Sequence, residues 1–123
     1  MANIDLTKIY TAKLRKFGMN DGTRFQDAFV SAVNNTFGEL NSEVFEAQTL
    51  TYLTDYSEVG NDSGLSDRFL QPFNAAVDFH LQESGEYATE AKDDRERLWY
   101  GRGMQQARTV YQQQTTYTNP LGV

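Results

Sequence analysis

One histidine and no cysteine accompany 17 carboxylates in this sequence, so any acid–base chemistry rests on a single imidazole and on pairs of acids. His80 lies beside the apolar stripe of a helix, where a lone histidine is a satisfied structural residue rather than a general base. A metal site needs several converging ligands, and the sequence contains neither HxxxH nor HExxH. Asp55, Glu58, Asp62 and Asp67 make a loose acidic loop whose spacing misses the calcium-loop pattern. Glu83, Glu86, Glu90, Asp93 and Asp94 contain enough carboxylates for an acid/base pair, but a solvated helix face has the same composition. Neither a phosphate loop nor a Gly-x-Ser-x-Gly elbow is present. The expectation is a protein without catalytic residues, metal or cofactor: not an enzyme.

The elements that carry these residues belong to one domain of 123 residues. A chain of this length buries roughly two thirds of its unfolded surface in a single core. Hydrophobic residues are 39% of the total and the core is weighted toward aromatics, with eight Phe, seven Tyr and one Trp. No run approaches the roughly 20 apolar residues of a membrane span. MANIDLTKIY lacks the apolar stretch of a secretory signal, and with no thiols, synthesis and folding in a reducing cytoplasm is expected. A net charge of −6 argues against a protein that grips nucleic acid by its phosphates. The charges are also segregated. Lys8, Lys13, Arg15, Lys16 and Arg24 make the beginning basic; acids alone follow from Phe25 to Asp67; Lys92, Arg95, Arg97, Arg102 and Arg108 restore positive charge. Two solvated faces would produce this pattern, and so would a head-to-tail interface between subunits.

The periodicity predicts a mainly α fold: a four-helix core, a short extended or β-hairpin segment at about 46–60, and an extended C-terminal arm. Asp5 opens the first helix, with Leu6, Ile9, Tyr10 and Leu14 at helical spacing and a stop near Phe17-Gly18. Thr23-Arg24-Phe25-Gln26 reads as a capping box before the stripe Phe25, Ala28, Phe29, Ala32, Val33, Phe37 and Leu40. Residues 48–56 are rich in Thr and Tyr, with Leu50, Tyr52 and Tyr56 of one parity, which suggests a strand needing a hairpin partner or a neighbour's strand. Ser66 or Asp67 caps a third helix with Phe69, Phe73, Ala76, Val77 and Leu81 on its stripe, Phe79 off it, and Pro72 in its first turns. A fourth helix is expected from about Ala88 to Tyr111, where Gly101 and Gly103 mark a bend or a close backbone approach.

Residues 109–123 carry no charged side chain yet include Tyr117, Pro120, Leu121 and Val123. Free solvated tails are usually charge-rich and poor in aromatics. The boundaries expected are therefore a helical domain at 1–111 and a docking arm at 112–123.

A short first helix, the long helix containing Thr23-Arg24-Phe25-Gln26-Asp27-Ala28-Phe29, the segment Leu50-Thr51-Tyr52-Leu53-Thr54-Asp55, the opening Leu65-Ser66-Asp67-Arg68-Phe69-Leu70-Gln71-Pro72-Phe73 and a last helix with Arg97-Leu98-Trp99-Tyr100 follow one another in that order. This order resembles the head–tail adaptor (connector) proteins of tailed bacteriophages, over nearly the whole chain but through element order rather than a sharp motif. The resemblance implies a structural subunit of a homo-oligomeric ring, commonly of twelve, in the virion neck. The portal protein would lie above, another neck or tail protein below, and DNA would pass through without specific binding. It implies that Tyr117, Pro120, Leu121 and Val123 anchor an arm on the portal, and that Leu50, Tyr52 and Tyr56 lie on a loop facing the tail or a neighbouring subunit. A small cytoplasmic helical regulator or inhibitor of one protein partner is the alternative that the same composition allows.

Overall fold

A computed structural model describes residues 2–83, 87, 88 and 91–118, with side chains as far as residue 113. Helix α1 (Leu6–Phe17) begins where Asp5 accepts the Thr7 N–H at 3.0 Å and ends at Gly18, whose φ of 63° is the left-handed cap that glycine adopts without strain. Leu6, Ile9 and Tyr10 point into the core. On the next face, Lys13 and Lys16 reach Asp78 at 2.8 and 2.6 Å, tying α1 to the third helix.

Helix α2 (Thr23–Leu40) is the central rod, and Phe25, Phe29, Ala32, Val33, Phe37 and Leu40 of its stripe are buried. Burial of each large side chain contributes about 1.5–3 kcal/mol. The expected capping box does not form. Gly22 holds the N-cap position without a side chain, and Gln26 donates instead to the Asp21 carboxylate at 3.0 Å, which also takes the Tyr10 hydroxyl at 2.5 Å. The helix begins one residue earlier than a box on Thr23 requires: Thr23 is already helical, and the Gln26 N–H donates to the Gly22 carbonyl at 3.0 Å.

Beyond Leu40 the rod widens into a π turn, Asn41–Phe45, which ends at Glu46 with a φ of 53°. No hairpin follows. Residues 46–55 belong to no strand, and their only regular successor is the 3-10 turn Tyr56–Glu58. Among the described residues there is no sheet, only an isolated antiparallel bridge between Asn3 and Ser66, beside which Ile4 N–H donates to the Leu65 carbonyl at 2.7 Å. The alternation of Leu50, Tyr52 and Tyr56 reports an extended backbone, but its hydrogen bonds go to side chains of α2.

Ser66 caps a 3-10 turn, Asp67–Phe69, that leads into α3 (Leu70–Gln82), with Pro72 in the first turn where its missing N–H has no helical partner to lose. Phe79, expected off the stripe, is buried. Helix α3 packs between α2 and the last rod, so its apolar arc is wider than one stripe, and Phe79 meets Tyr100 edge-on at 5.2 Å.

The last rod is α4 (Lys92–Glu96), a π segment (Arg97–Gly103) and α5 (Met104–Thr118) in direct succession. It starts at Lys92 rather than Ala88. It also runs past Tyr111, so residues 112–118 of the expected extended arm are helical. Gln112, Gln113 and Gln114 are good helix formers, and no proline or glycine lies between Gln114 and residue 119 to stop the helix. Pro120, Leu121 and Val123 lie outside the described residues, as does the side chain of Tyr117.

Candidate functional site: a tyrosine-walled cleft beside the last rod

Two asparagines on α2 and its π turn determine where the extended segment lies. Asn34 Nδ2 donates to the Leu53 carbonyl at 2.9 Å while its Oδ1 accepts the Leu53 N–H at 2.8 Å, the exchange a neighbouring strand would make. Asn41, buried, makes all four bonds its amide allows. Its Nδ2 donates to the Leu50 carbonyl and Gln48 Oε1, both at 3.0 Å, and its Oδ1 accepts the N–H groups of Thr49 at 3.1 Å and Leu50 at 2.8 Å. Leu50 is thereby drawn into the core at 3% exposure, and Tyr56 packs on Tyr10 with centroids 4.9 Å apart. Of the three loop residues suggested for subunit contact, only Tyr52 is presented to solvent, at 47% exposure. Gly38 makes room for it: a Cβ there would sit 3.3 Å from the Tyr52 hydroxyl oxygen.

Across from Tyr52 stands Tyr100, also 47% exposed, on the π segment. The two rings wall an open cleft of about 660 Å³ whose floor includes Asn34, Gly38, Glu39 and Glu43. Both π segments border it, and such widened turns often accompany functional surfaces. At its end Arg108 donates to the Glu43 carbonyl at 3.3 Å and approaches the Glu43 carboxylate at 3.5 Å.

Glu39 is the electrostatic centre of the cleft. Its Oε1 accepts Trp99 Nε1 at 2.9 Å and faces His80 Nε2. Burial opposes ionisation of Glu39, but hydrogen bonds from His80, Tyr100 and Trp99 and the His80 charge together outweigh it, leaving the carboxyl below its ordinary value. With Glu39 ionised, His80 Nε2 carries the proton that points at it. Burial first, then the Glu39 carboxylate with Glu83 and Glu96 nearby, pushes the Tyr100 hydroxyl well above its usual value, so it remains a neutral donor. The lone histidine thus faces the Glu39 carboxylate through Nε2, while its buried Nδ1 has no hydrogen-bond partner among the described residues.

A depressed folded pKa makes the Glu39 charge stabilising above its ordinary value of 4.5, and that contribution is lost as pH falls through the lower folded value. Glu39→Gln should therefore flatten the fall in Tm between about pH 5 and about pH 3 relative to wild type. Parallel curves for the two proteins would show that the Glu39 charge contributes nothing to stability.

Sequence reasoning missed Glu39, Tyr100 and the asparagine clamps. The available signal was Asn34 and Asn41, two turns apart on one helix, poor helix formers in an interior that must answer to a partner. The arrangement offers hydrogen-bonding carboxylates and two half-exposed rings, which suits contact with a protein surface carrying cationic side chains. Among the described residues, no group of three or more His, Cys, Asp and Glu is placed to hold a metal ion, and no helix is long and apolar enough to cross a membrane. No protein-family model, curated protein or solved structure matches the chain.

Proposed function

We propose that this chain is a non-enzymatic head–tail adaptor: a ring subunit that joins the portal of a phage capsid to the tail and extends the DNA channel. The observation that carries the reading is the last rod. Its core contacts among the described side chains end with Val110 and Tyr111, the latter edge-on to Phe45 at 5.0 Å, yet the helix continues to Thr118 with Gln112 and Gln113 exposed. An uncharged helical projection reaching past the domain suits docking in a groove of a larger ring, where a few apolar anchors supply affinity. Tyr117, Pro120, Leu121 and Val123 are the proposed anchors. An acidic subunit also suits a conduit that must not hold phosphates. In this role the protein forms a homo-oligomeric ring, of twelve if it matches the usual portal symmetry, and sits in the virion neck.

Deletion of residues 114–123 tests the arm. The packed side chains among the described residues all lie before residue 114, so the truncated protein should keep its thermal transition while its binding to portal rings falls by at least about tenfold, or roughly 1.4 kcal/mol. Undiminished binding by the folded truncation would remove the arm from the account.

A further inference from the structure

The last rod has two different flanks on either side of its buried edge. Trp99, Gly103 and Ala107 form that edge. Leu98 and Tyr100, on either side of buried Trp99 in the π segment, line different surfaces. Tyr100, Met104 and Arg108 line the cleft described above. Asp94, Arg97, Leu98 and Arg102 line a separate hollow of about 360 Å³. Leu98 is 44% exposed, so among the described residues three of the four exposed large hydrophobic side chains, Tyr52, Tyr100 and Leu98, lie on these two surfaces. The charges are opposite. The cleft has two carboxylates, Glu39, which faces His80, and Glu43, which meets Arg108, with Glu83 and Glu96 acting on Tyr100. The Leu98 flank has two guanidiniums, Arg97 and Arg102, against Asp94.

We propose that these flanks mate between copies of this chain, Leu98 and Arg102 of one subunit entering the Tyr52–Tyr100 cleft of the next. A single chain thus carries both halves of a heterologous contact, the kind that propagates head to tail and closes into a ring when the rotation permits. The leucine supplies an apolar knob between two tyrosine rings, and the arginines meet the carboxylates and ring faces. Two like surfaces could not do this, because cleft against cleft brings acid to acid. The inference deepens the ring reading above and rests on it.

The chain has no cysteine, so single thiols can be placed at will. The double variant Leu98→Cys with Ser42→Cys, the latter on the cleft rim, should give a ladder of dimers, trimers and larger species with a short bifunctional maleimide. The two single variants mixed should give dimers only, and Leu70→Cys with Ser42→Cys should give background alone, Leu70 being similarly exposed but on neither flank. Adding Arg97→Glu and Arg102→Glu should reduce the ladder at least about tenfold while circular dichroism stays unchanged. A Leu98–Ser42 ladder no stronger than the Leu70 control would overturn the proposal. Portal-bound rings without that ladder would reject these flanks and leave the neck role standing. A ladder from a chain that never stacks on a portal would keep the flanks and reject the neck role.

Discussion

Asn41→Ala should cost about 3–4 kcal/mol of folding stability, whereas surface substitutions usually stay within about 0.5 kcal/mol of neutral. The alanine is the better helix former and would stabilise an isolated rod. Here it strips the partners from the buried Leu50 carbonyl and Leu50 N–H, while the Thr49 N–H keeps the Ala47 carbonyl at 2.9 Å. Each buried group left unmade costs about 1–3 kcal/mol, and the loss is tempered only as far as the segment can lift into water. Lifting is itself costly, because Leu50 would leave the core. Urea unfolding measures the change directly. Asn34→Ala, which releases only the Leu53 pair at the part-buried end, should cost about half as much. A loss below about 1 kcal/mol for Asn41→Ala would mean that the segment is held by something other than the asparagine clamp.

Gly103→Ala should destabilise by about 2–3 kcal/mol, reversing the sign that helix propensity assigns to the same change. A Cβ on Gly103 would lie 2.6 Å from Cε3 of Trp99 and 3.0 Å from the Leu98 carbonyl oxygen. Trp99 cannot withdraw, since it is fully buried and donates to Glu39. The backbone carbonyl cannot move without opening the π segment. Gly101 is the internal control: its Cβ would meet only Arg97 Cγ at 3.7 Å, an ordinary contact. Gly101→Ala should therefore stabilise by up to about 1 kcal/mol. Thermal unfolding of the two variants side by side should move Tm in opposite directions. Equal shifts would show that the π segment yields to the extra methyl group and that Gly103 is not needed to seat Trp99.

These two residues mark where the sequence was readable and where it was not. The beginnings and ends governed by local chemistry, Asp5, Gly18, Ser66 and Pro72, can be read because their partners lie within a few residues. The stripe of α2 is legible for the same reason, its burial following from a single period. The paired glycines were expected to mark a bend or a close backbone approach; what Gly103 instead accommodates is the Trp99 ring and the Leu98 carbonyl of its own segment. The segment at 46–60 misled because Thr and Tyr alternation reports an extended backbone without naming its partner. Here the partner is a pair of side-chain amides on a helix, which no periodicity encodes. The capping box misled because Gly22, not Thr23, takes the N-cap position, which puts Thr23 inside the helix. Tyr52 could be picked from the loop, but Glu39 and Tyr100 could not, since the cleft exists only once three distant segments are packed together.

The neck role proposed for this chain has one direct test. Purified protein mixed with the portal ring of the same phage and imaged as single particles should show a second, stacked ring with the symmetry of the portal, its long rods directed at the portal face. Bare portal rings beside unattached monomers or dimers would contradict the adaptor account and leave a small protein-binding regulator as the better reading of this fold.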